Sequence, residues 1–186
     1  SHKRADIRDD IRTQTAKLLS GGSAESVVAE EKSSEVEAFF DPHLKPKSTL
    51  AYESLGALIE SPKILSLTGK QVNCLKRGDT YRYCYKVRFQ RGATNVRFGM
   101  LIKTTSGIEL GGAASASNMQ DAIPYVAPGS EVQVEFRFQC ILNSAHYFLN
   151  AGALGVVDSE EDYLHRILDA CMFRVLPEAG STATAL

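Results

Sequence analysis

The chain has 186 residues, of which 44 % are hydrophobic and 23 % charged, so it can bury a core and is not disordered throughout. Its 21 basic and 22 acidic side chains leave a formal net charge of −1, which lacks the basic excess expected of a nucleic-acid-binding protein. No apolar run approaches the ~18 residues of a membrane span, and the polar start Ser1-His2-Lys3-Arg4, whose first two residues read as a cloning remnant, has no signal-peptide pattern.

In chain order, Ile7, Ile11 and Leu18 recur at helical spacing until Ser20-Gly21-Gly22-Ser23 breaks the pattern. Ser23 is an N-cap candidate for a second helix carrying Val27, Val28, Val36, Phe39 and Phe40 and ending near Asp41-Pro42. Neither apolar stripe is wide enough to fold alone, so residues 1–48 read as a helical connector, its last part, with Pro42 and Pro46, an extended tether.

From residue 49 the period changes. Tyr81, Tyr83, Tyr85, Val87 and Phe89 alternate with polar residues, as do Val96, Phe98, Met100 and Ile102, then Val132, Val134, Phe136 and Phe138. Tyr147, Leu149, Ala151 and Ala153 follow, and Cys171, Phe173 and Val175 close the set. Period two over such lengths is the mark of half-buried antiparallel strands. Turn signals separate the runs, at Gly78-Asp79, Arg91-Gly92, Ser106-Gly107 and Pro128-Gly129. Several strands at this spacing without intervening helices predict an all-β, immunoglobulin-like antiparallel β-sandwich over residues 49–177, followed by a tail, 178–186.

Chemistry-bearing motifs are missing. There is no phosphate-binding loop, H-E-x-x-H, G-x-S-x-G or G-x-G-x-x-G. The four cysteines, Cys74, Cys84, Cys140 and Cys171, form no C-x-x-C pair and read as buried free thiols of a reducing compartment rather than as two disulfides. The histidines share no metal-ligand spacing, so no metal or cofactor is expected. Two carboxylates flanking a sugar bond suffice for glycoside hydrolysis. Glu109, Glu131, Glu135 and the cluster from Asp158 to Asp162 supply candidates, but no pattern sets one in an apolar pocket, and the cluster reads as a solvated loop.

If the runs 95–104, 146–156 and 170–175 share one sheet, their outward residues are unusual for a solvated surface. Leu101, Phe148, Leu154 and Met172 surround the small residues Gly99, Gly152 and Ala170, with Arg97, Lys103, Asn150 and Arg174 among them. Small residues lower a floor, an aromatic ring gives a flat apolar wall, and the polar groups give directed donors, which together suit a sugar ring. Arg97, Leu101, Lys103, Phe148, Asn150, Met172 and Arg174 are therefore the candidate carbohydrate-binding residues, and Arg97, Lys103 and Arg174 would suit an acidic terminal group. The competing reading is that this face packs on the N-terminal segment or on another subunit.

An ordered series of segments carries a family resemblance. It includes Tyr52-Glu53-Ser54-Leu55-Gly56-Ala57, Leu75-Lys76-Arg77-Gly78-Asp79, Asn95 through Lys103, Gly107-Ile108-Glu109-Leu110-Gly111-Gly112, Tyr147-Phe148-Leu149-Asn150-Ala151-Gly152 and Asp169 through Val175. Over residues 46–176 the chain resembles the C-terminal domain of the ATP-binding subunit of O-antigen ABC transporters, the Wzt family. The resemblance implies a non-catalytic domain that binds the modified non-reducing terminus of an O-antigen polysaccharide, coupling chain termination to export. It also implies a homodimer with exchange of the last strand, a transmembrane transporter subunit as partner through a nucleotide-binding domain preceding residue 1, and a cytoplasmic location at the bacterial inner membrane. The alternative is a ligand-free dimerisation or scaffold module of the same subunit.

Overall fold

The structure, a computed structural model, describes residues 36–178. These residues form ten strands: β1 (Leu50–Ala51), β2 (Ala57–Ser66), β3 (Cys74–Leu75), β4 (Thr80–Phe89), β5 (Ala93–Thr104), β6 (Glu109–Ala114), β7 (Ile123–Val126), β8 (Glu131–Gln139), β9 (His146–Val157) and β10 (Glu160–Val175). One sheet runs β1-β10-β9-β5-β6, with β3 on β10 and β7 on β5; the other runs β2-β4-β8. Pairing is antiparallel except between β3 and β10. This is the all-β sandwich the alternation predicts. Among the described residues no helix is long and apolar enough to cross a membrane.

The alternation places the core. On β4 the residues Tyr81, Tyr83, Tyr85, Val87 and Phe89 are all buried, and they face Val96, Phe98 and Met100 of β5, Tyr147 and Leu149 of β9, and Phe173 of β10. Burying a side chain of this size contributes about 1.5–3 kcal/mol. Tyr147 stacks on Phe173 with ring centroids 5.4 Å apart, and Phe138 of β8 closes on the same ring at 6.3 Å. The inward faces of the three runs 95–104, 146–156 and 170–175 thus lie in one sheet, as supposed. The four cysteines carry free thiols. Burial pushes the Cys171 thiol up to about 12.

Three local features lie outside the sequence reading or depart from it. Pro62 sits inside β2, where Ser61 adopts φ 51° and the register with β4 slips between Glu60 and Lys63. A bulge in an edge strand tolerates a residue without an N–H. The helices expected before residue 36 lie outside the described residues, but the end of the second does not, and it is not helical. Phe39 pairs with Cys74 as an isolated antiparallel bridge instead. The tether that follows is tied down by Asn73, whose Oδ1 accepts the Asp41 N–H at 2.7 Å while its Nδ2 donates to the Asp41 carbonyl at 2.8 Å.

The third departure is β10. The acidic cluster is not a loop: only Asp158, at φ 72°, and Ser159 turn between β9 and β10, and Glu160 to Asp162 already pair with Val157 to Gly155. The register then slips twice. Leu164 is an extra residue between Tyr163 and His165, and between Ile167 and Cys171 three residues of β10 face Asn150 of β9. The second slip holds Asp169 at φ 50°.

Candidate functional site

A trough crosses the outer face of the large sheet. Its floor is one row of the ladder: Gly99 on β5 lies opposite Ala114 on β6 and opposite Gly152 on β9, and Gly152 lies opposite Arg166 on β10. Tyr52 continues the row, its N–H bonded to the Arg166 carbonyl at 2.9 Å. The neighbouring rows form the walls, with Arg97, Leu154 and Tyr163 on one side and Leu101 and Asn150 on the other. The hollow measures about 400 Å³, inside the range of small-molecule clefts.

Of the two floor glycines, Gly99 has room for a Cβ, whereas Gly152 is tight for reasons of space rather than backbone freedom. A Cβ on Gly152 would lie 3.1 Å from Cε1 of Tyr163, so the ring leans into the space a side chain would take. A Cβ on Gly112 of β6 would meet the Met100 carbonyl oxygen at 2.6 Å. The Arg166 guanidinium lies over the Tyr163 ring at 4.8 Å and near the Tyr52 ring at 6.0 Å, a cation–π arrangement on two exposed tyrosines. Beneath the floor, the Tyr85 hydroxyl reaches across from β4 to the carbonyl oxygens of Gly99 and Gly152, at 2.9 and 3.0 Å.

The fold divides the seven candidate residues. Arg97, Leu101 and Asn150 line the trough. Arg97 is ion-paired to Glu161, leaving its Nε buried without a partner among the described residues. Asn150 is buried, and its Oδ1 accepts the Asp169 N–H at 2.9 Å. Lys103 and Phe148 lie one row further along the sheet, outside the trough lining. The Lys103 ammonium binds Asp169 Oδ1 at 2.7 Å and passes 5.9 Å from the Phe148 ring. Met172 faces a separate hollow with Phe40, Leu44 and Pro46. Arg174 turns the same way, its Nε on Cys74 Sγ at 3.2 Å and its guanidinium 5.8 Å from the Phe39 ring. The N-terminal segment therefore partly covers the far end of the face and keeps Met172 and Arg174 out of the trough.

Tyr163, Arg166, Glu109 and Glu161 were not singled out for this surface from the sequence. Glu109 lies on β6; the other three lie on β10, whose two register slips break the period-two pattern that would have placed them on this face. Asp169 was missed for the same reason. It gathers the Ser48 hydroxyl, the Thr49 hydroxyl on its carbonyl oxygen at 2.7 Å, and Lys103. Residues before β1 are thus bonded to the residue that holds Asn150.

A carboxylate pair for hydrolysis does not assemble among the described residues. Glu131 and Glu135 are on the other sheet, bound to Lys86 and Arg82, and Asp158 binds Arg91. Glu161 is held by Arg97, and Glu109 is the one carboxylate lining the trough. No group of three or more His, Cys, Asp or Glu is placed to hold a metal ion among the described residues. His165 is committed to structure. Its Nδ1 accepts the Ile59 N–H at 2.9 Å, and burial lowers its pKa, with the Tyr52 backbone acting weakly in the other direction.

Comparison with known proteins agrees with this architecture. Among solved structures, the crystal structure of the C-terminal domain of Wzt is similar at a TM-score of 0.64 and 24 % identity, covering 82 % of this chain and 98 % of that one. The CARDB domain of a Pyrococcus furiosus protein gives a TM-score of 0.39 at 13 % identity, covering 68 % of this chain and 100 % of that one. No curated protein matches. The family model of the Wzt C-terminal domain matches residues 48–186, and the chain belongs to that family.

Proposed function

We propose that the trough binds the modified non-reducing end of an O-antigen polysaccharide, so that completion of the glycan is coupled to its export by recognition and not by bond chemistry. Family membership supplies the setting, a non-catalytic domain of an O-antigen ABC transporter subunit acting on the cytoplasmic side of the membrane. One observation carries the assignment to this surface: a glycine-floored hollow with an aromatic residue, two arginines and an amide at its edges. Sugars bind where an apolar ring face and hydroxyls are matched together. A single shallow site binds weakly, because the hydroxyls are already hydrated. A homodimer with exchanged last strands would present two such sites and raise the effective affinity. The transmembrane subunit would be engaged through a nucleotide-binding domain.

The test is calorimetric titration of the chain with the producing strain's polysaccharide, capped and uncapped. Capped chains bind and uncapped ones do not; Tyr163→Ala and Arg166→Ala weaken binding about tenfold, while Arg82→Ala on the other sheet leaves it unchanged. Equal binding of both glycans, or indifference to the trough variants, rejects the assignment. The scaffold alternative draws on exposed Ile108, Leu110 and Ile141 around a second hollow of about 660 Å³ at one end of the sandwich. It requires that Ile108→Asp with Ile141→Asp disrupt a dimer in light scattering while no glycan binds.

A further inference from the structure

A glycan end offers a protein one of two chemistries. Hydroxyls both donate and accept hydrogen bonds; an ionised cap, a phosphate or a sugar acid, only accepts them. A site for an ionised cap needs several convergent donors and cations left unpaired. The three cations that favour an acidic group in the sequence are all engaged elsewhere. Arg97 is bound to Glu161, Lys103 to Asp169, and Arg174 to Cys74 beneath Phe39.

Arg166 is then the cation that lines the trough without a carboxylate partner among the described residues. It is matched by Glu109, which lines the same hollow and likewise makes no ion pair among the described residues. Glu109 lies across the β5–β6 pair from Lys103, whose ammonium is turned away to Asp169. With Arg97 and Glu161 neutralising each other, the trough holds one open cation and one open carboxylate. Asn150 adds a donor, since its Oδ1 is taken by the Asp169 N–H and its amide nitrogen is not. Glu109 is exposed at the edge of the hollow, where its charge would repel an anionic cap, most strongly at low salt, yet it is a good acceptor for hydroxyls.

Resting on the glycan-site reading above, we infer that the glycan end taken by the trough is uncharged, its hydroxyls met by Arg166 as donor on the β10 side and by Glu109 as acceptor on the β6 side, and that an ionised cap is selected against. The experiment is ligand-observed NMR on the full 186-residue chain, with O-methylated and O-acetylated methyl glycosides of hexoses and deoxyhexoses as neutral capped probes, the matching methyl uronides, and methyl phosphate. It is run at about 50 and about 500 mM NaCl, which brackets weak and strong screening. Neutral glycosides should bind with less than about twofold change between the two salts, and uronides and methyl phosphate should not bind. Glu109→Gln should weaken neutral binding about tenfold and admit the anionic probes. Tighter, salt-sensitive binding of a uronide or of methyl phosphate by the unmodified chain overturns the inference while leaving the glycan site standing. So does a Glu109→Gln protein that binds neutral glycosides unchanged. Binding of neither class overturns the glycan-site reading and the inference with it.

Discussion

The outer faces of the two sheets begin from the same alternating pattern and end as different surfaces. On β2-β4-β8 the outward side chains neutralise one another across the strands: Lys86 meets Glu60 and Glu131, Arg88 meets Glu60, and Arg82 meets Glu135. Such a face is complete in water. On the large sheet the corresponding outward positions are Gly99, Gly152, Leu101 and Leu154, too small or too apolar to pair, and a hollow remains. Alternation decides which side of a strand is core; the composition of the other side decides whether anything is left to be bound.

Removing one carboxylate from each face sharpens this contrast most. Asp169 is nearly buried, with 9 % of its side chain exposed, and Lys103 is 16 % exposed. Asp169→Ala should cost about 3 kcal/mol, because it strands a largely buried ammonium and frees Ser48. Glu60→Ala, on an exposed network, should cost less than about 1 kcal/mol. Urea unfolding of both variants measures this, and equal losses would end the distinction.

A smaller effect separates two tyrosines of β4. The Tyr85 hydroxyl holds the carbonyls under the trough floor, whereas the Tyr83 hydroxyl is buried with no partner among the described residues. Tyr85→Phe should destabilise by about 1–2 kcal/mol, and Tyr83→Phe should be neutral or stabilising by the same denaturant assay. For binding, Gly152→Val should displace Tyr163 and weaken polysaccharide affinity about tenfold in titration. Glu135→Ala on the finished face should leave that affinity unaltered.

The smallest expected effect is on pH dependence. His165 has a folded-state pKa below its unfolded value of 6.5, so the stability linked to its neutral form is complete above pH 6.5 and is lost as pH falls through the folded pKa. Protonation of Nδ1 also removes the acceptor for the Ile59 N–H, a link between the two sheets. The melting temperature should fall on going from pH 7 to pH 5, and less so in His165→Gln. An identical fall in the variant would assign the effect to other groups.

The core was legible because its strands keep strict period two. Tyr81 to Phe89, Val96 to Met100 and Tyr147 to Ala151 bury the residues their alternation points inward. The trough was only partly legible. Gly99, Leu101, Asn150, Gly152 and Leu154 lie where β5 and β9 pair without a slip, from Arg97↔Leu154 to Leu101↔Asn150, and could be placed on one face. Tyr163 and Arg166 lie on a strand whose register slips twice, so that Leu164 and His165 are both buried and the alternation fails there.

By itself, the sequence determined a two-sheet β-sandwich, its buried faces and the low floor of one outer face, because each is a property of side-chain alternation along single strands. Tertiary structure alone decided which charges around that floor remain open. Pairing partners such as Glu161 for Arg97 and Asp169 for Lys103 lie about 64 and 66 residues away along the chain. It also decided that Met172 and Arg174 are partly covered, because Asn73 and Cys74 tie the N-terminal segment against β10. Contacts of that separation depend on register and on bulges, which one-dimensional periodicity does not carry.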